Sequence, residues 1–80
     1  MKNRPLFVRV EWDEDAHVWV ATSDDVPGLA TEECSIELLI DKLKVIIPEL
    51  LELNRGSGQE QYIEFEMLSR RFETLQPASA

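Results

Sequence analysis

The chain has one cysteine, one histidine and three glycines, and each scarcity removes a class of chemistry. Cys34 has no second cysteine with which to form an intramolecular disulfide, a usage suited to a reducing compartment. Any Ser-His or Cys-His mechanism has to run through His17, and Cys34 lies beside Glu32 and Glu33, whose negative charges disfavour a thiolate. Gly56 and Gly58 follow the helical pattern instead of preceding it, so they cradle no phosphate at a helix N-terminus. Basic side chains are also few, 8 against 16 acidic ones, for a net charge of -8. Neutralising a phosphate backbone needs clustered cations. The one such cluster, Arg70-Arg71 followed by Phe72, is too small to predict DNA or RNA binding. No apolar run is long enough without a charge to span a bilayer, and the polar start, Met1 to Pro5, leads into no signal-peptide core. A cytoplasmic protein that meets neither membrane nor DNA directly is expected.

What the chain does contain is periodicity. Leu6, Val8, Val10 and Trp12 alternate with Phe7, Arg9 and Glu11, which predicts a first strand from Leu6 to Trp12. A second strand, Val18 to Ser23, carries Val18 and Val20 on one face and Trp19 and Ala21 on the other. The polar stretch Asp13 to His17 joins the two as an antiparallel hairpin. Asp25, Pro27 and Gly28 form a structural turn. Pro27 presets its own φ and Gly28 can supply the positive φ that a type II turn requires. A short third strand, Leu29 to Glu33, follows.

Ser35 is a plausible N-cap for the helix after it. Ile36, Leu39, Ile40, Leu43, Ile46, Ile47 and Leu50 recur at three- and four-residue spacing, one broad apolar stripe on an amphipathic helix. Pro48 lies inside the pattern and predicts a kink or break near Val45 to Ile47. Asn54 or Gly56 is expected to cap the helix end. Tyr62 to about Arg71 reads as a fourth strand, with Ile63, Phe65 and Met67 on one face.

The expected fold is α+β, in the order β-β-β-α-β: an antiparallel meander, one long helix packed on one sheet face, and a last strand. Residues 1–72 form a single domain and 73–80 a frayed tail. Val8, Val10, Val18, Val20, Ile63 and Phe65 are expected to meet the helix. Phe7, Arg9, Trp19, Tyr62 and Glu64 are left on the uncovered face, where an apolar patch marks a protein-binding surface.

Chemistry is harder to find. Asp13, Glu14, Asp15 and His17 could suggest metal ligands, but they crowd one exposed hairpin loop, where Asp is favoured for turn formation alone. No catalytic, metal-binding or cofactor-binding set is expected, so the chain reads as a binding protein and not as an enzyme.

The run from Val8 through Glu33, VRVEWDEDAHVWVATSDDVPGLATEE, with the helix SIELLIDKLKVIIPELLEL directly behind it, resembles the HicB-like antitoxin superfamily. The matching features are the two-strand opening with its acidic turn, the Asp25-Val26-Pro27-Gly28-Leu29 turn close to that family's D-x-P-G pattern, and the helix placement. It is most similar to a short single-domain bacterial branch whose function is uncharacterised. The resemblance covers residues 6 to 68. It implies a partial ribonuclease H-like fold with the fourth strand beside the first, in sheet order 3-2-1-4. It also implies a partner, a small basic ribonuclease toxin of the HicA type, with the antitoxin itself a homodimer. Family members often carry a C-terminal DNA-binding segment; this sequence ends soon after the last strand, so operator binding is not expected. The alternative reading is a self-associating accessory or small-ligand-binding domain without a toxin.

Overall fold

The computed structural model describes residues 4–55 and 62–78. Its elements are β1 (Leu6–Asp13), β2 (Val18–Thr22), β3 (Ala30–Glu33), α1 (Ile36–Arg55) and β4 (Phe65–Arg70). They build one four-stranded sheet in the order β3-β2-β1-β4. β2 runs antiparallel to both neighbours, whereas β4 lies parallel to β1. A parallel pair needs a crossover of a dozen or more residues, and α1 supplies it. This is the expected β-β-β-α-β architecture, with the last strand beside the first.

α1 begins where Ser35 caps it. The Ser35 hydroxyl accepts the Leu38 N–H at 3.1 Å, and the Ser35 carbonyl accepts the Leu39 N–H at 3.0 Å. Leu39, Leu43, Ile47 and Leu51 then recur every fourth residue and are all buried. They pack on Val8 and Val10 of β1, Ala21 of β2, and Val26 and Leu29 of the turn before β3. The break expected at Val45–Ile47 does not occur: α1 is one helix through Pro48. Pro48 is exposed, and the buried anchors Ile47 and Leu51 hold the helix on either side of the missing N–H donor. Of the two expected caps, Asn54 lies inside α1, which runs on to Arg55, and Gly56 lies outside the described residues.

β2 presents the opposite face from the one expected. The register pairs Trp12 with Trp19 and Val10 with Ala21, so Trp19 and Ala21 point to the helix side. Ala21 is fully buried, and Trp19 packs against the core. Val18 and Val20 pair with Asp13 and Glu11 and share the other, open face. The cause is the length of the hairpin loop. The loop is Glu14–His17, closed by the Asp13–Val18 pair, with the His17 N–H on the Asp13 carbonyl at 2.8 Å and His17 in the left-handed region at φ 58. A one-residue difference in the closing pair moves every β2 side chain to the other face.

β4 starts at Phe65, later than the pattern suggested, so Tyr62, Ile63 and Glu64 precede it. Ile63 is exposed and not part of the buried core, while Phe65 and Met67 are half-buried against it. Residues 71–78 follow with no helix or strand, all of them exposed.

Candidate functional site

Backbone alternation on the four strands determines what the uncovered face carries. Phe7, Arg9, Glu11 and Asp13 of β1 share it with Val18, Val20 and Thr22 of β2, Ala30 and Glu32 of β3, and Glu66, Leu68 and Arg70 of β4. Phe7, Val18 and Val20 are half-buried by their neighbours, and Leu68 is exposed. The Arg9 guanidinium lies 5.8 Å from the Phe7 ring centroid, which holds the cation over an aromatic face. Four carboxylates (Glu11, Asp13, Glu32, Glu66) surround this apolar strip, against two guanidinium groups, Arg9 and Arg70.

Of the residues expected to bind a partner, Phe7 and Arg9 come together on this face. Trp19 does not: it lies on the helix side, 5.1 Å edge-to-face from Trp12. Arg71 covers that pair, its guanidinium carbon 4.1 Å from the Trp12 ring and 5.7 Å from the Trp19 ring. Trp12 Nε1–H donates to Glu14 at 2.8 Å, and His17 stands edge-on to Trp12 at 6.0 Å. Tyr62 and Glu64 lie ahead of β4, and Tyr62 is fully exposed.

The turn before β3 anchors the start of β1. The Leu29 N–H meets the Val26 carbonyl at 3.1 Å across Pro27 and Gly28, and Gly28 sits at φ 88, a type II geometry. Asp25, one residue ahead of that turn, accepts the Phe7 N–H at 2.8 Å and the Arg4 guanidinium on both oxygens, at 2.9 and 3.0 Å. Ser23 donates its hydroxyl to the Phe7 carbonyl at 2.5 Å and accepts the Asp25 N–H at 3.0 Å. The polar atoms of Asp25 and Ser23 therefore position Phe7 at the rim of the open face.

The Arg4 hydrogen bonds and then the Phe7 N–H hold the Asp25 carboxyl at about 2, below the ordinary 3.8. A folded value below the unfolded one stabilises the fold above about 3.8, and that contribution is lost as pH falls toward about 2. Thermal melts over this acid range should show a loss of stability that Asp25→Asn greatly reduces. An unchanged pH dependence in the variant would remove Asp25 as the linked group.

In the acidic hairpin loop, Asp13 is occupied by local structure, its carboxylate accepting the Asp15 and Ala16 N–H groups at 3.0 and 3.1 Å. Among the described residues no three His, Cys, Asp or Glu side chains converge as metal ligands. On the helix side, an open groove of ≈ 590 Å³ lies between α1 and β4, lined by Ile40, Lys44, Phe65 and Met67 among others. No helix among the described residues is long and apolar enough to cross a membrane.

The sheet order and the turn geometry place the chain among small α+β domains with one helix-covered sheet face. Residues 5–76 match the family described as Domain of unknown function (DUF1902), and the chain belongs to that family. It is similar to the crystal structure of hypothetical protein TTHA1013 from the extremely thermophilic bacterium Thermus thermophilus. The two are 45% identical, with a TM-score of 0.68 over 91% of this chain and 99% of that one. No curated protein matches.

Proposed function

We propose that this is a non-enzymatic binding protein, a HicB-like antitoxin or stand-alone relative that captures a small basic ribonuclease of the HicA type in the cytoplasm. The observation that carries the reading is the open sheet face, an apolar strip of Phe7, Val18, Val20 and Leu68 set among Glu11, Asp13, Glu32 and Glu66. An apolar centre with a charged rim is the usual anatomy of a protein interface. The net charge of -8 attracts a cationic partner and speeds its encounter. Inhibition requires only that this face cover the partner's active site.

The test is co-expression with small basic ribonuclease-like proteins encoded beside this one, followed by co-purification and a growth-rescue assay. A stable complex and rescue are expected. Reversing two rim charges with Glu11→Lys and Glu32→Lys should slow association by about tenfold. If no such neighbour forms a complex and none of its toxicity is relieved, the antitoxin reading is wrong.

A second reading, a self-associating accessory or small-ligand-binding module with no toxin, has its own support. Five of the eight large apolar side chains exposed among the described residues (Tyr62, Ile63, Leu68, Phe72 and Leu75) lie in one segment around β4. A homodimer would cover such a segment, and dimerisation is compatible with either reading.

A further inference from the structure

The sheet has two outer edges, and they are built differently. β3 is four residues long, with Lys42 Nζ 3.2 Å from the Glu33 carboxylate and 3.2 Å from the Glu32 carbonyl. A short edge guarded by charge resists pairing with another strand. β4 lacks that guard. In the parallel ladder Leu6 is opposite Phe65, and the Leu6 N–H donates to the Glu64 carbonyl at 2.9 Å. This phase turns the backbone groups of Glu66 and Leu68 toward β1. The N–H and C=O groups of Phe65, Met67 and Ser69 point outward, beyond the last strand of the sheet.

The side chains along β4 are self-complementary. Glu66, Leu68 and Arg70 follow one another on the open face in the order acid, apolar, base. A second β4 laid antiparallel about a two-fold axis through Leu68 presents base, apolar, acid to the first. Two-fold contacts are reciprocal, so each pairing occurs twice. The same register sets Met67 against the partner's Ser69, two residues whose backbone groups point away from β1 and can exchange hydrogen bonds. Leu68 and the partner's Leu68 fall at the non-hydrogen-bonded position, where side chains approach most closely. An axis through Met67 would set Glu66 against the partner's Leu68, and one through Ser69 would set Arg70 there. The first leaves Arg70 to the partner's Glu64, ahead of β4, and the second sets Glu66 against the partner's Phe72, so only the axis through Leu68 pairs the charges within the strand.

We propose that β4 is a homodimerisation edge: two copies pair antiparallel about Leu68, joining their sheets into one of eight strands, with Glu66 of each protomer paired to the partner's Arg70. The inference deepens the self-association reading above and rests on it. It also accounts for the exposed run after β4. In the dimer, residues 71–74 lie opposite the partner's Phe65–Tyr62 segment, and Phe72, with the parity of Leu68 and Arg70, falls beside the partner's Glu64 on the open face. Arg70, which in the single chain sits 4.6 Å over Phe72, gains a carboxylate partner.

Sedimentation of the full chain over a concentration series tests this directly, with far-UV circular dichroism as a check on folding. Wild type should dimerise. Glu66→Arg and Arg70→Glu, each of which sets like charges opposite one another twice, should each weaken the dimer by about tenfold or more. Carrying both substitutions in one chain restores opposite charges and should return the affinity close to wild type. Leu68→Lys, which places two ammonium groups at the axis, should give a folded monomer. A wild-type monomer throughout the series overturns both this edge and the self-association reading, leaving the ribonuclease reading intact. A wild-type dimer that ignores the single reversals or Leu68→Lys, or that the double reversal fails to restore, overturns the β4 edge alone.

Discussion

Leu43→Ala should cost roughly 2–5 kcal/mol of folding stability, the range for deleting a fully buried leucine and leaving a partly unfilled cavity. Leu43 has no exposed surface and sits mid-helix between Leu39 and Ile47, which are also buried. A domain of this length holds about 4–12 kcal/mol in total. The substitution therefore removes a large share of the stability, and at the upper end it unfolds the protein. Urea denaturation should show a lower midpoint with an unchanged slope, as expected when stability changes and the unfolded state does not. Val45, on the same helix but 60% exposed, is the control, and Val45→Ala should stay within about 0.5 kcal/mol. Equal effects at the two positions would mean that the helix does not bury the face described.

Trp19→Ala comes next in size and separates two roles for that residue. On the uncovered face, Trp19 would contribute to binding and little to folding. On the helix side, it packs against the core and against Trp12 at 5.1 Å, with Arg71 stacked over the pair. Trp19 is only half-buried, so its loss should cost roughly 2–3 kcal/mol, below the 3–5 typical of a fully buried tryptophan. That corresponds to a melting temperature lower by about 10 °C or more for a domain this small. Binding or dimerisation measured on the folded fraction should change little. A variant that melts like wild type but loses its partner would return Trp19 to the binding face.

The hairpin shows why most of the fold could be read from sequence and one strand could not. β1 alternates cleanly, since Val8 and Val10 are apolar while Arg9 and Glu11 are charged, so its buried face is unambiguous. β2 offers an apolar pair on either face, Val18 with Val20 or Trp19 with Ala21, and only the closing pair of the loop decides between them. Taking Asp13 as loop closes the hairpin on Trp12 and Val18 and points Val18 inward. In the structure Asp13 remains in the strand and the left-handed His17 ends the loop. Nothing in the pattern marks which pair closes. The helix stripe and the strand order were legible because they rest on many residues, or on a turn with few alternatives such as Pro27-Gly28. The role of Asp25 was not legible, because its partners, Arg4 and the Phe7 N–H, lie far back in the chain and meet it only once the sheet forms. The D-x-P-G turn thus combines a hydrogen-bonding anchor for β1 with the bend that starts β3, and Val26 and Leu29 around it are buried.

The parallel pairing of β1 with β4 also bears on the order of events during synthesis. β1 is an inner strand, yet the neighbour on one side of it begins 59 residues later, Leu6 aligning with Phe65. The meander and α1 are sequence-local and can assemble as they leave the ribosome, whereas the β1–β4 ladder waits until β4 has been made. Closing so long a loop is entropically costly and slow compared with forming a hairpin. Until β4 arrives, the far side of β1 remains an open edge able to capture another strand, so the first strand of the early hairpin is covered on that side only by the last strand to be made.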